Sequence, residues 1–237
     1  MAQLYAGTSG WAYPSWKPDF YPQKLAQAKF LPHYATLLNT VEVNFTFRQL
    51  VKETTIEKWI AQTPAHFRFG IKAHQVITHI KRLKATDEFL KRFLTTIEAL
   101  EREGKLGPVL FQLPPNLKND AALLKDFLAV LPLPVRAAFE FRHNSWFNDE
   151  TYSLLKDHKA ALCVAETEER VTPDVTTAEF GYYRFRKPSY SPEERQAMIA
   201  TLRQHLDQSR DVYAFFKHEE TPEGAMYAVE LLRGITG

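Results

Sequence analysis

Apolar positions along the chain switch repeatedly between two periods. Leu4–Gly7, Thr40–Val43, Arg68–Ala73, Pro108–Leu113, Val135–Phe141, Ala161–Ala165, Phe180–Phe185 and Val212–Phe216 are short runs that alternate or stay apolar, bounded by Gly, Pro or polar residues. They predict eight strands. Most are followed by a stretch of helical period: Phe30–Leu38, Val51–Gln62, Asp87–Glu103, Asp120–Leu131, Asn148–His158, Ser191 to about Gln208, and Thr221 to about Leu232. The clearest stripe is Phe89, Leu90, Phe93, Leu94, Ile97 and Leu100. Asn148 is placed to cap one helix, and Ser191-Pro192-Glu193-Glu194 is a capping box with proline at the first helical position. Residues 167–179 carry no stripe and predict a loop or a short irregular helix after strand six. Trp11–Pro22, rich in Trp, Tyr and Pro, predicts an ordered loop.

A βα unit of about 30 residues repeated eight times favours an all-parallel sheet closed on itself. The predicted fold class is therefore α/β, a TIM-like (β/α)8 barrel, with one domain over residues 1–237. An open doubly wound sheet is disfavoured, because no glycine-rich dinucleotide turn follows any strand.

The polar residues gather at the C-terminal ends of the strands: Thr8 and Ser9, Glu42 and Asn44, Lys72 and His74, Gln112, Glu140, Arg142 and His143, Glu166, Arg184 and Arg186, Lys217 and His218. In a closed barrel these ends converge on one mouth, where enzymes of this architecture carry their sites. Val135–Phe141 illustrates the pattern: Phe139 and Phe141 fall on one face, Glu140 and Arg142 on the other. Any one of these charges is explained by a structural ion pair, but collecting so many costs several kcal/mol per buried ion unless each is well paired. A polar pocket at the mouth follows.

Glu42, Glu140 and His74 are the expected catalytic groups, the carboxylates as general acids or bases. Asn44, Lys72, Arg142, His143, Arg184, Trp11, Gln112, Glu166 and Lys217 are the expected substrate-binding residues. Cations outnumber carboxylates, which suits a small anionic partner bearing phosphate or carboxylate. Trp11, Tyr13, Trp16 and Trp146 are read first as plugs near the barrel mouth and second as a stacking platform. No cofactor is predicted. A metal is disfavoured, because the histidines show no i, i+4 pair and Lys and Arg neighbours would repel the ion.

Bulk properties narrow the classes only slightly. The chain has 237 residues, 45% hydrophobic and 24% charged, and a net charge of +2. Nucleic acid is neither favoured nor excluded as a partner by that balance. The single cysteine, Cys163, rules out an internal disulfide and sits mid-strand among apolar neighbours as core packing. No apolar run is long enough to span a membrane, and no charged-then-apolar leader opens the chain, so a cytoplasmic location is expected. Oligomeric state is not readable.

The strand-end motifs also carry a resemblance. Gly7-Thr8-Ser9-Gly10-Trp11, Phe20-Tyr21-Pro22, Asn39 to Asn44 with Thr46-Phe47, Phe67-Arg68-Phe69, Lys72-Ala73-His74, Ile77-Thr78-His79, Gly107 to Pro115, Glu140-Phe141-Arg142-His143, Ser145-Trp146-Phe147 and Asp211-Val212-Tyr213 occur in this order. The chain thereby resembles the YecE-like family, the domain-of-unknown-function family DUF 72. The resemblance implies a TIM-like barrel with a pocket at the strand ends, contributed by Glu42, Lys72, His74, Glu140, Arg142 and His143, and no reaction. The departures fall late, at Arg48, Glu166, Arg184-Phe185-Arg186-Lys187 and Phe216-Lys217-His218. They make the half of the mouth built by strands six to eight more basic.

Three functions compete on this reading: a hydrolase, lyase or isomerase acting on a small anion, a nucleic-acid-binding or -processing protein, and a non-catalytic ligand-binding barrel.

Overall fold

A computed structural model describes residues 2–132, 135–168, 171–217 and 220–236. The elements run β1 (Leu4–Thr8), α1 (Phe30–Leu37), β2 (Thr40–Val43), α2 (Glu53–Ala61), β3 (Arg68–Lys72), α3 (Asp87–Arg102), β4 (Leu106–Gln112), α4 (Ala121–Ala129), β5 (Ala137–Glu140), α5 (Asp149–Asp157), β6 (Ala161–Glu166), β7 (Phe180–Phe185), α6 (Pro192–Asp207), β8 (Asp211–Phe216) and α7 (Glu223–Thr236). All pairings are parallel, in the order β1-β8-β7-β6-β5-β4-β3-β2. The expected barrel is present. Residues 167–168 and 171–179 hold no helix, as the missing stripe implied.

The caps explain several helix starts. The Asn148 side chain accepts from Thr151 N at 3.0 Å and that of Asp120 from Leu123 N at 3.0 Å. Ser191 and Glu194 form the reciprocal box, at 3.2 and 2.7 Å. In place of a helix after β6, Thr177 Oγ1 accepts from Leu162 N and donates to Ala160 O, which pins the loop under the strand. One element has no counterpart in the sequence pattern. Val76–Ile80 forms a single π-helical turn after β3, followed by Arg82, Leu83 and Ala85 at positive φ. A turn this short shows no amphipathic period.

The sheet is closed between β1 and β2 largely by side chains. Backbone pairing there is limited to a bridge between Ser9 and Glu42, with Gly10 N donating to Glu42 O at 2.9 Å. Lower on the seam, Asn39 Nδ2 donates to Leu4 O at 2.7 Å and its Oδ1 accepts from Ala6 N at 2.9 Å. Tyr34 Oη accepts from Thr8 N at 2.8 Å and donates to Thr40 O at 2.9 Å. Gly7 makes the approach feasible, since a Cβ there would lie 2.0 Å from Thr40 O.

Alternation then sorts every strand. Phe69, Val109, Phe111, Phe139, Leu162 and Tyr183 join the core under the helices, whereas Tyr5, Leu110, Ala138, Cys163, Tyr182, Tyr213 and Phe215 fill the barrel. Tyr5 stacks on Tyr213 at 4.6 Å near the lower end. Gly70 leaves the space taken by the Phe215 ring, 3.0 Å from where a Cβ would sit. The next inward positions are polar on β2, β3, β4, β5, β7 and β8, whereas Ala165 of β6 stays apolar.

Candidate active site at the barrel mouth

Arg184 is the centre of that polar layer. It follows Tyr182 by two on β7, so it points inward, and only 1% of it is exposed. Its Nη2 donates to Glu42 Oε1 of β2 at 2.6 Å, and its Nη1 donates to Glu140 Oε2 of β5. One guanidinium thus ties β7 to two strands that are not its neighbours, β2 and β5.

The two carboxylates are saturated. Glu42 Oε1 also accepts from Ser9 Oγ at 2.8 Å and Asn44 Nδ2 at 3.1 Å, and its Oε2 accepts from Tyr182 Oη at 2.7 Å. Gln112 Nε2 donates to both oxygens of Glu140 at 2.9 Å, and Arg142 Nε reaches Oε1 at 3.0 Å. Burial opposes ionisation of Glu42, but Arg184, Arg186 and the donated hydrogen bonds outweigh it and bring its pKa from 4.5 down to about 2. Glu140 is held well below the usual carboxylate range in the same way, with burial outweighed by Arg184, Arg186, Arg142 and Gln112. Both carboxylates are therefore held as anions by these partners.

Gln112 extends the network. Because its Nε2 must face the acceptor-only Glu140, its Oε1 faces Lys72, whose Nζ lies 2.9 Å away. Lys72 Nζ also lies 4.4 Å from the centre of the Phe47 ring. Burial, and then Arg184, bring its pKa from 10.5 to about 8, against the opposing pull of Glu42 and Glu140. Arg186 stands two residues beyond Arg184. Burial and the Arg184 charge push its pKa down, partly offset by Glu140 and Glu42. Of the five buried side-chain polar atoms without a partner among the described residues, three belong to this cluster: Asn44 Oδ1, Arg184 Nε and Arg186 Nε.

The structure therefore brings together Glu42, Asn44, Lys72, Gln112, Glu140, Arg142 and Arg184, and it leaves out five expected members. His74 precedes the π-helical turn, with Nδ1 accepting from Val76 N at 3.1 Å and its ring against Phe89 at 5.0 Å. His143 shares the outward parity of Phe139 and Phe141, and its Nδ1 accepts from Ser145 N at 3.2 Å. Glu166 shares the outward parity of Leu162 and Val164 and pairs with Lys187 at 2.6 Å. Trp11 packs its edge on Trp59 at 5.6 Å, outside the strands. Lys217 has inward parity but is exposed at the rim, while His218 lies outside the described residues. Trp16 and Trp146 are fully buried, so they offer no stacking platform.

Four further members join the site; Ser9, Arg186 and His79 were named above without an assigned role, and Tyr182 was not singled out. Ser9, Tyr182 and Arg186 lie on the inward parity of their strands, a signal present in the two-residue spacing from Gly7 and Arg184. His79, on the π-helical turn, meets the Phe47 ring edge-on at 4.8 Å. Burial, then the charges of Lys72 and Arg142, lower its pKa. No periodic signal could have found it. Among the described residues no group of three or more His, Cys, Asp or Glu is placed to hold a metal ion, and no helix is long and apolar enough to cross a membrane.

Comparison with known proteins gives a consistent picture. Residues 5–236 match the model of a family described as "Protein of unknown function DUF72". The chain is 30% identical over 167 residues to UPF0759 protein YunF of Bacillus subtilis, covering 65% of this chain and 57% of that protein. It is 30% identical over 145 residues to UPF0759 protein YecE of Escherichia coli K12, covering 61% of this chain and 50% of that protein. The matches thus span little more than half the length of these relatives. Among solved structures, a DUF72 family protein of Thermotoga maritima superposes with a TM-score of 0.83 at 26% identity, over 99% of this chain and 100% of that one.

Proposed function

The chain belongs to the DUF72 family of proteins of unknown function, and from that premise we propose that its barrel mouth binds a small anionic substrate and that the protein is an enzyme acting on it. One observation carries the reading. Two carboxylates, Glu42 and Glu140, share one buried guanidinium, and three further cations, Lys72, Arg142 and Arg186, surround them. The six groups carry a formal charge of −2 and +4, a net +2, inside a barrel where stray charge is expensive. A phosphate or carboxylate between Arg142, Arg186 and Lys72 would neutralise that excess through charge-assisted, bidentate hydrogen bonds. The orphaned Nε atoms of Arg184 and Arg186 and the Oδ1 of Asn44 supply further donors and an acceptor.

In this reading Glu42, Glu140 and Arg184 form a rigid frame, and Lys72, Arg142 and Arg186 meet the ligand. Preorganised charge of this kind contributes most to catalysis when water is excluded. Calorimetric titration with inorganic phosphate and with a panel of small phosphates and carboxylates tests it. Arg186→Ala is expected to weaken binding at least about tenfold, equivalent to about 1.4 kcal/mol. Absence of any anion binding at millimolar concentration, or equal affinity in Arg186→Ala, overturns the reading. Binding of an oligonucleotide with a steep salt dependence, in place of small anions, would favour the nucleic-acid alternative. Binding without turnover would favour a non-catalytic barrel.

A further inference from the structure

We propose that Lys72 is a covalent catalyst whose ε-amine condenses with the carbonyl carbon of an anionic substrate carrying a ketone or aldehyde, so that the chemistry of the mouth proceeds through an imine. The proposal rests on the anion-binding reading above and names the substrate class for the same site.

The argument begins with where the amine sits. Lys72 ends β3 on the inward parity and is half-buried. Among the described residues, Gln112 Oε1 is the hydrogen-bond acceptor of the Lys72 Nζ, at 2.9 Å. Gln112 cannot rotate away without surrendering its two contacts to Glu140. The ring of Phe47, 4.4 Å away, fixes the other side. The amine is therefore positioned, and it remains able to attack.

The surrounding charges make it nucleophilic. Burial disfavours the ammonium, as do Arg184 from β7 and Arg186 just beyond it, whereas Glu42 from β2 and Glu140 from β5 favour it. His79 from the π-helical turn and Arg142 beyond β5 complete the titratable and charged shell. The balance leaves a substantial neutral fraction near pH 8, the usual way in which a desolvated lysine beside another cation becomes a carbonyl nucleophile. The saturated carboxylates point in the same direction, since neither is available as a nucleophile or base.

The step is self-balancing. The nitrogen lone pair bonds to the carbonyl carbon as the C=O π pair moves onto oxygen. Both amine hydrogens then leave on that oxygen as water, and the C=N bond remains. The imine, once protonated, draws electron density from the adjacent carbon, and loss of a proton or cleavage of a carbon–carbon bond becomes accessible there. Hydrolysis restores the amine. No oxidant or reductant takes part. Arg142 and Arg186 would hold the anionic end while Asn44 Oδ1 accepts from a hydroxyl.

Reductive trapping tests the proposal. The whole chain is incubated with sodium cyanoborohydride and, separately, glyoxylate, pyruvate or dihydroxyacetone phosphate, then digested and mapped by mass spectrometry. The expected result is a single reduced adduct on Lys72 with at least one probe, forming with a midpoint near pH 8. Inorganic phosphate should suppress it, and Lys72→Met should lower site-specific trapping at least about tenfold. Lys72→Arg, which retains the charge and the Gln112 contact but cannot form an imine, controls for misfolding. Cooperative thermal unfolding should report its folded barrel, and it should fail to trap. Adducts confined to exposed lysines, or equal in Lys72→Arg, overturn the proposal. If phosphate binds and Arg186→Ala abolishes that binding while Lys72 never traps, the imine falls and the anion site stands. If no anion binds at all, the site reading itself has failed.

Discussion

Replacing Arg184 with methionine removes the guanidinium that ion-pairs directly with both Glu42 and Glu140. Each carboxylate is buried, at 0% and 2% exposure, so neither can turn to water. Breaking a buried ion pair from one side costs about 3–5 kcal/mol. The second carboxylate has a way out, because it can take a proton. From an ordinary pKa of 4.5, that costs about 3 kcal/mol at pH 7. The combined loss is therefore about 6–8 kcal/mol at pH 7, set against a total stability of about 5–15 kcal/mol for a typical domain.

The pH dependence separates this account from a simple packing defect. In the wild type the folded pKa of Glu42 is depressed from 4.5 to about 2. Its contribution, about 3 kcal/mol, is complete above pH 4.5 and is lost as pH falls through 2. In Arg184→Met the protonation cost disappears as pH falls from 7 to 4.5, so the variant gains on the wild type over that interval by about 3 kcal/mol. The gap closes further between 4.5 and 2 as the wild type gives up its own contribution. Urea denaturation followed by tryptophan fluorescence at pH 7, 5 and 3 measures the difference directly, and a variant that folds at pH 5 but not at pH 7 is an expected result. A loss below about 2 kcal/mol at pH 7, or a gap unchanged between pH 7 and 5, would refute the reasoning.

Other outcomes follow from the same geometry. Gly7→Ala should lose about 3 kcal/mol or more, because the new Cβ would meet the Thr40 carbonyl across the seam at 2.0 Å; a thermal midpoint within 2 °C of the wild type would contradict it. Asn39→Leu should cost about 2–4 kcal/mol, since Leu4 O and Ala6 N both lose their partner. Faster hydrogen exchange at Ala6 would report the opened seam. Cys163 is fully buried inside the barrel and its thiol is pushed up by burial. It should resist a thiol reagent at pH 8 in the native protein and react at once in denaturant; rapid native labelling would show that the interior opens.

The architecture was legible in the sequence because both periods are long and unbroken. Each strand announces itself by alternation or by an apolar run, and each helix by a stripe and a cap such as Asn148 or Ser191. The composition of the mouth was partly legible for the same reason. Glu42, Lys72, Gln112, Glu140 and Arg184 all occupy inward positions at strand ends, and parity is a local property. His143 and Glu166 were misplaced by reading nearness to a strand end without its parity, since each continues an outward face.

Pairings across the barrel were not legible, because they join residues with no sequence relation. Glu42 meets Arg184 across 142 positions and Glu140 meets it across 44. Only the closure of the sheet sets those distances, and it depends on Gly7, Tyr34 and Asn39 along the seam. That closure also decides the chemistry. It sets Glu42 and Glu140 against one guanidinium and lowers the pKa of Lys72. It brings in His79 from a turn too short to carry a pattern. The sequence by itself determined which residues face inward; the tertiary structure decided their charge state, because burial and the distance between charges exist only after the barrel has closed.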